Sequence, residues 1–346
     1  MAGIAIIKLS ALGDVLIASA AIQRIAVQHS GQPIRLLTAP AFVPLFNGWD
    51  DLEIEGLSLK DWKAVFINGG RLRRLRLQRV YDLQGNKRSR VLTWLSGAPE
   101  RVGLWSGWPY TQSSALARRP RVHPWIRINS VLEMAAVPPA KERPLFPLTT
   151  TEHALVERWL SNHELSDKPL VLIHAGASAR WQSKRWDQAR FEQLAHQLTA
   201  RGLRVIWVGG PDDRALNAKL AKQVGINACD VFSIAGLMAL GQRARFAITN
   251  DSGPMHALAA VNLPVYSLFG PTDWQLSHAL GQGQRVIHAD VACSPCFKTH
   301  CPLTINHHQC MQMITVDDVL GRLQRDSLIP ITVGTNFDIG AVSADD

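Results

Sequence analysis

Short apolar runs of four or five residues recur along the chain, and each gives way to a loop that leads into a helical pattern. Ile4-Ala5-Ile6-Ile7 opens the series, followed by a helix-period segment from Asp14 to about Gln28. Ile34 to Thr38, Ala64 to Asn68 and Val80 to Leu83 read as further strands of the first half. In the second half, Leu170-Val171-Leu172-Ile173, Val205 to Val208, Phe246 to Thr249 and Pro264 to Phe269 read as strands. Thr151 to His163, Gln188 to Arg201, Asp212 to Gln223 and Pro254 to Ala260 read as the helices between them. Such alternation predicts parallel sheets covered on both faces, the α/β class. Thr315 to Arg325 reads as the last helix, with Thr315 as its N-cap and Asp317 and Asp318 in its first turn.

A chain of 346 residues has room for two such units. The composition shifts at Pro138-Pro139, Pro144 and Pro147, just before a Thr149-Thr150-Thr151 cap. The predicted domains are therefore 1–150 and 151–328, with a tail over 329–346 that has no clear period. Two Rossmann-like halves imply a ligand cleft between the carboxyl ends of the two sheets.

Hydrophobic residues at 47% and charged residues at 19% exclude a disordered chain. The most apolar stretch near the start, Ile4 to Ile22, is broken by Lys8 and Asp14 and is no membrane span. Nor does the start read as a signal peptide, so a soluble, cytoplasmic protein is expected. Charge is unevenly shared. Residues 1–150 hold 20 Lys and Arg against 10 Asp and Glu, whereas residues 151–346 hold 17 against 18. This asymmetry predicts an anionic partner (nucleic acid, an acidic membrane or a phosphorylated substrate), unless it serves solubility alone. The basic residues do not show the aromatic interleaving of an RNA reader, and no nucleic acid is expected. A G-x-G-x-x-G fingerprint is absent, which argues against a nicotinamide-dependent oxidoreductase.

Three loops at strand ends carry candidate chemistry. Lys8 to Asp14 follows the first strand, and Asp14 there is either a helix cap or a general base for a substrate hydroxyl. Asn250 to His256 leaves a strand and enters a helix at Pro254. Asp251, Ser252 or Gly253 can cap it, and its free N–H groups would suit a diphosphate. His256 could reach the same anion or be a hydrogen-bonded core histidine. His174 to Ser178 and Ser183 to Trp186 form the third segment. Gly176 allows close approach there, and Lys184 and Arg185 bring charge that could steady a departing diphosphate or lie solvated.

KLSALGD at 8–14, HAGAS and SKRW within 174–186, NDSGPMHALAA at 250–260 and LFGPTD at 268–273 resemble the lipopolysaccharide heptosyltransferases of glycosyltransferase family 9. The matches run in order to about residue 320. The resemblance implies the GT-B arrangement, two Rossmann-like domains facing a central cleft, with the final helix returning to the first domain. It implies inverting, metal-independent transfer of a heptose from ADP-L-glycero-D-manno-heptose to the Kdo–lipid A or heptosyl-Kdo inner core, with no cofactor. Carried over by residue, the base falls on Asp14. Donor contacts fall on Ala177, Ser178, Lys184, Asp251, Ser252, Gly253 and His256, with Asp213 as an acidic ribose contact. Acceptor contacts fall on Ser10, Lys87, Arg88, Arg90 and Arg101, just beyond Arg71, Arg73, Arg74 and Arg76. An anionic glycolipid at a membrane face would account for the basic half.

Two features depart from the family pattern. The stretch between Gly236 and Asp251 is about three residues short, so no adenine-pocket residue is assigned there. Cys293, Cys296, Cys301 and Cys310 cluster with His300, His307 and His308 in a spacing that matches no standard zinc finger. They read as a structural loop, with structural metal as the alternative and disulfides not expected in the cytoplasm.

Overall fold

Ile4 and Ile6 pack on one side of the opening strand and Ala5 and Ile7 on the other, and all four are buried. The computed structural model that shows this describes residues 3–114, 116, 121–142 and 146–330. In the first unit the chain runs β1 (Ile4–Ile7), α1 (Leu12–Gln28), β2 (Ile34–Thr38), β3 (Glu53–Gly56), α2 (Trp62–Arg74) and β4 (Arg79–Asp82). It continues through α3 (Lys87–Leu95), β5 (Glu100–Gly103), β6 (Gln112–Ser113) and α4 (Pro124–Met134). The strands pair in parallel in the order β3-β2-β1-β4-β5-β6. Helices α1 and α4 share the core of Ile4 and Ile6, and α2 and α3 that of Ala5 and Ile7. An all-parallel sheet needs both coverings, which is why its central strands are apolar throughout.

The second unit starts with α5 (Thr150–Asn162), β7 (Leu170–His174), α6 (Gln188–Ala200), β8 (Arg204–Trp207), α7 (Arg214–Gln223) and β9 (Ile226–Asn227). Next come α8 (Ile234–Arg243), β10 (Ala244–Asn250), α9 (Gly253–Ala259), β11 (Val265–Phe269), α10 (Trp274–Ser277) and β12 (Val286–His288). Helices α11 (Gln309–Gln312) and α12 (Val316–Arg325) close it. Its parallel strands lie in the order β12-β11-β10-β7-β8-β9. Each sheet reverses its winding at the centre, between β1 and β4 and between β7 and β10. Loops at such a switch point diverge and leave a crevice for a ligand.

The units touch through α1 and α9, and one apolar core runs through both. Around this contact, Phe146 N–H donates to Ala260 O at 3.3 Å, and the His123 ring stacks on His278 with centroids 4.4 Å apart.

Two expectations are corrected. Ala64 to Asn68 is no strand but part of α2, capped by Asp61, whose carboxylate accepts from Ala64 N–H at 2.8 Å. A four-residue apolar run, Ala64 to Ile67, fits either period, and only the burial of Val65, Gly69 and Leu72 at helical spacing decides. The final helix does not return to the first unit. Val316, Val319, Leu320 and Leu323 join Phe191 and Leu194 of α6 in the core of the second sheet. Trp186 Nε1–H, donating to Ile314 O at 2.8 Å, anchors the approach to that helix. Residues 331–346 of the expected tail lie outside the described residues.

Candidate active site

Across the first switch point, the loops after β1 and β4 are tied by one side chain. Gln84 Oε1 accepts from Leu9 N–H at 2.9 Å and Ser10 N–H at 3.0 Å. Below it, the fully buried Asp82 accepts from Gln84 N–H at 3.0 Å, Gly85 N–H at 2.8 Å, Ser89 Oγ–H at 2.9 Å and Tyr110 Oη–H at 2.6 Å. Burial pushes the Asp82 carboxyl above its usual range, and these four donors oppose that shift. Lys8 is buried between the carboxylates of Asp14 and Asp82. Desolvation lowers its pKa while both carboxylates pull it back up.

Helix α1 begins at Leu12, two residues before the expected start, which places Asp14 in its first turn. Its Oδ2 accepts from Ala11 N–H at 3.3 Å, so Asp14 caps the helix and is still exposed toward the cleft. The two sequence readings of Asp14 are therefore compatible.

Across the second switch point, Asn250 at the end of β10 holds the loop after β7. Its Nδ2 donates to Ala175 O at 2.9 Å and Gly176 O at 3.0 Å, and its Oδ1 accepts from Trp186 N–H at 3.1 Å. Lys184 Nζ then lies 2.7 Å from Asp251 Oδ2 and 4.7 Å from the centroid of the Trp181 ring. Thr272 Oγ–H donates to the same Asp251 oxygen at 2.6 Å. Ser252 Oγ lies 3.0 Å from His174 Nδ1, and His174 Nε2 lies 3.2 Å from Asp213 Oδ2. Burial alone would raise the Asp213 pKa, but His174, Gly210 N–H and Arg185 together hold it below the ordinary value. With the Ser252 hydroxyl turned to His174, no side chain caps the N–H groups of α9.

Between the two sets of loops is a cleft of about 340 Å³. The first unit contributes Leu12, Gly13 and Asp14, and the second contributes Ser178, Trp181, Lys184, Asp251, Ser252, Gly253 and His256. His256 presses against Gly13, and its Nδ1 is closed to solvent with no hydrogen-bond partner among the described residues. Desolvation lowers its pKa to about 4, so it sits in the cleft wall as a neutral ring.

Seven of the site residues carried over from the resemblance thus line one cavity: Asp14, Ser178, Lys184, Asp251, Ser252, Gly253 and His256. Ala177 lies behind it, its carbonyl accepting from Arg185 at 3.0 Å, and Asp213 braces His174 instead of reaching the cleft wall. Ser10 is held beside the cleft by Gln84. The basic residues are placed differently. Arg88 donates to Leu59 O at 2.8 Å, Arg90 to Trp108 O, and Arg101 to Pro109 O at 2.6 Å and Ala98 O at 2.5 Å. With Lys87 exposed on the first turn of α3, none of these four lines the cleft.

Gln84 and Trp181 are the residues that loop-by-loop reading passes over. The position of Gln84 just after β4 is the available signal, since the loop after the strand beside β1 must border the same switch point. Among the described residues, no three His, Cys, Asp or Glu side chains are arranged to hold a metal. Cys293 is exposed, whereas Cys310 is buried against Gly270. Burial and the neighbouring thiols raise the Cys310 pKa to about 11.

The sequence profile described as glycosyltransferase family 9 (heptosyltransferase) matches residues 69–307. Lipooligosaccharide heptosyltransferase 2 of Campylobacter jejuni is 29% identical over 165 residues, 46% of this chain and 51% of that protein. The chain spans about half the length of the first curated relatives it matches. In fold, it is similar to a family 9 glycosyl transferase from Veillonella parvula, with a TM-score of 0.79 at 20% identity over 94% of this chain and 96% of that one. Escherichia coli ADP-heptose lps heptosyltransferase II gives a TM-score of 0.71 at 22% identity over 93% and 98% of the two chains. With the profile covering well over half of its length and both switch points facing one cleft, this chain belongs to glycosyltransferase family 9, the heptosyltransferase family.

Proposed function

We propose that the protein is an inverting glycosyltransferase that moves a heptose from ADP-L-glycero-D-manno-heptose to the inner core of lipopolysaccharide. The observation that carries this reading is the single cleft bounded by Asp14 from one unit and Lys184 from the other. A carboxylate and an ammonium lining one cavity from opposite units suit a displacement in which a proton leaves one side and negative charge develops on the other.

Asp14 takes the proton of an acceptor hydroxyl as that oxygen forms its bond to the anomeric carbon. The bond from this carbon to the diphosphate oxygen breaks, and ADP departs with the electron pair. Attack opposite the leaving group inverts the anomeric centre. Lys184, held at 2.7 Å by Asp251, faces the developing phosphate charge, with the uncapped N–H groups around Ser252 and Gly253 beside it. Charge of this kind does the work a metal ion does elsewhere, and the reaction is proposed to run without one. Asp213 acts at one remove, through His174 and Ser252. The acceptor class is an anionic glycolipid, which places the enzyme at the cytoplasmic face of a membrane. No helix among the described residues is long and apolar enough to cross it.

The test is to supply ADP-heptose with truncated core acceptors of increasing length and follow the mass gain of each, with UDP- and GDP-activated sugars as competing donors. Transfer of one heptose to one acceptor length is expected. Preferential transfer from another donor, or no transfer from ADP-heptose to any acceptor, would overturn the assignment.

A further inference from the structure

From Trp62 to Pro99 the chain holds nine Lys and Arg residues and a single acid, Asp82, which is buried beneath the sheet loops. This segment contains α2 and α3, which lie side by side on the face of the first sheet opposite α1 and α4. They pack tightly, since a Cβ on Gly69 of α2 would lie 2.5 Å from Leu95 of α3. Val65, Leu72 and Leu92 point inward to the core.

The outward surface of this pair is apolar and cationic together. Trp62 is 47% exposed, Phe66 58%, Ile67 61% and Trp94 51%. Trp108, 56% exposed, lies with its ring 5.9 Å from Trp94. Four of the five exposed large aromatic side chains among the described residues are on this one surface. Lys63, Arg73, Arg74, Arg76 and Lys87 surround them, and none pairs with a carboxylate among the described residues. Arg71 and Arg79 are neutralised by Glu55 and Glu100, and Arg88 and Arg90 are turned to backbone carbonyls, which leaves those five as the outward, unpaired charge.

Large aromatic and aliphatic groups left in water are costly unless something covers them. The covering surface must be apolar a few ångströms down and negative at its rim. We infer that the outward face of α2 and α3 docks on an anionic lipid bilayer. Tryptophan and phenylalanine lodge at the headgroup level, and each basic residue adds about 1 kcal/mol near an acidic surface. A nucleic acid would engage the cations and stack bases on the aromatic rings, but would leave the aliphatic Ile67 uncovered. Both helices begin at the carboxyl edge of the parallel sheet, the edge that also carries the Asp14 loop. The biological sense of this face rests on the glycolipid acceptor proposed above, but binding is measured without substrate, and the two can fail separately.

The experiment is co-sedimentation of the full chain with vesicles of phosphatidylcholine alone and with about one third phosphatidylglycerol, at low and raised salt. Binding to the anionic vesicles alone, weakened by salt, is expected. The triple variant Trp62→Ser, Phe66→Ser, Ile67→Ser and the triple variant Lys63→Glu, Arg73→Glu, Arg74→Glu should each weaken it at least tenfold. Unfolding midpoints and ADP affinity by calorimetry should stay near those of the parent, which separates docking from misfolding. No binding by the parent protein would overturn the inference, as would binding that neither variant alters. Loss in the charge variant alone would also overturn it, since simple adsorption would then suffice. A single-stranded oligonucleotide bound with the same sensitivity to both variants would point to nucleic acid instead.

Discussion

A Cβ placed on Gly13 would lie 2.6 Å from Cδ2 of His256 and 2.8 Å from its Nε2. The helix that carries Asp14 and helix α9, which carries His256, therefore meet where only a hydrogen atom fits. Glycine in a helix is ordinarily unfavourable by about 1 kcal/mol relative to alanine, so Gly13→Ala on a free helix would stabilise. Here the clash should win and cost about 1–3 kcal/mol, read as a lower urea midpoint. His256→Ala should restore most of that loss in the double variant, and additive losses would show that the contact does not matter.

Asp14 is the only carboxylate of the first unit among the residues lining the cleft. Asp14→Asn should lower kcat by about 10²- to 10⁴-fold while ADP affinity stays within a few-fold of the parent. Near-parental turnover would remove Asp14 from the role of base.

Lys184 and Asp251 are mostly shielded from solvent, at 16% and 6% side-chain exposure. Lys184→Ala takes away the charge proposed to face the diphosphate and leaves Asp251 with only the Thr272 hydroxyl of its two polar partners. Affinity for the nucleotide should fall about tenfold or more, equivalent to about 1.4 kcal/mol, by titration calorimetry. Unchanged affinity would place the diphosphate elsewhere.

Gln84 acts on the Asp14 loop from outside the chemistry, through the N–H groups of Leu9 and Ser10. Gln84→Leu keeps the volume and removes the acceptor. The expected result is a fall in kcat with ADP affinity unchanged, and recovery with Gln84→Glu, which keeps an oxygen at that point.

Acid should loosen the contact between the units. Burial lowers the pKa of His123 to about 4, against about 6.5 in an unfolded chain, and His256 behaves alike. The groups facing them are Asp14 and His278, together with Asp251 and Lys184 on the His256 side. Between pH 6.5 and 4 the unfolded chain binds protons that the folded one does not, so stability falls as pH falls through that window. The effect is up to about 3 kcal/mol for His123. Urea midpoints at pH 7.5 and pH 5 read the part of it that accrues above pH 5, up to about 2 kcal/mol, and His123→Asn should flatten the difference.

The repeated apolar strands, the cap at Thr149 and the loops at 8–14, 174–186 and 250–256 are all legible in the amino-acid order. Each is a local pattern in which burial, capping or backbone freedom is set by nearby residues. Ala64 to Asn68 reads as a strand because its four apolar residues satisfy both periods, and what settles it as helix is burial at helical spacing, with Gly69 closed against Leu95 of α3, 26 residues along the chain. The basic residues depart from their expected place for a similar reason. Charge is visible in sequence, but whether Arg88 and Arg101 face a ligand or a backbone carbonyl depends on which loops the sheet order brings beside them.

By itself the sequence determined the two parallel-sheet units and the chemistry at their loop ends, because side-chain period and turn residues act over a few positions. Tertiary structure alone decided that Asp14 and Lys184 share a cleft, that Gln84 fixes the loop before Asp14, and that four separate aromatic residues share one cationic surface. These depend on strand order and helix packing, which bring together groups tens to hundreds of residues apart at distances no local pattern encodes.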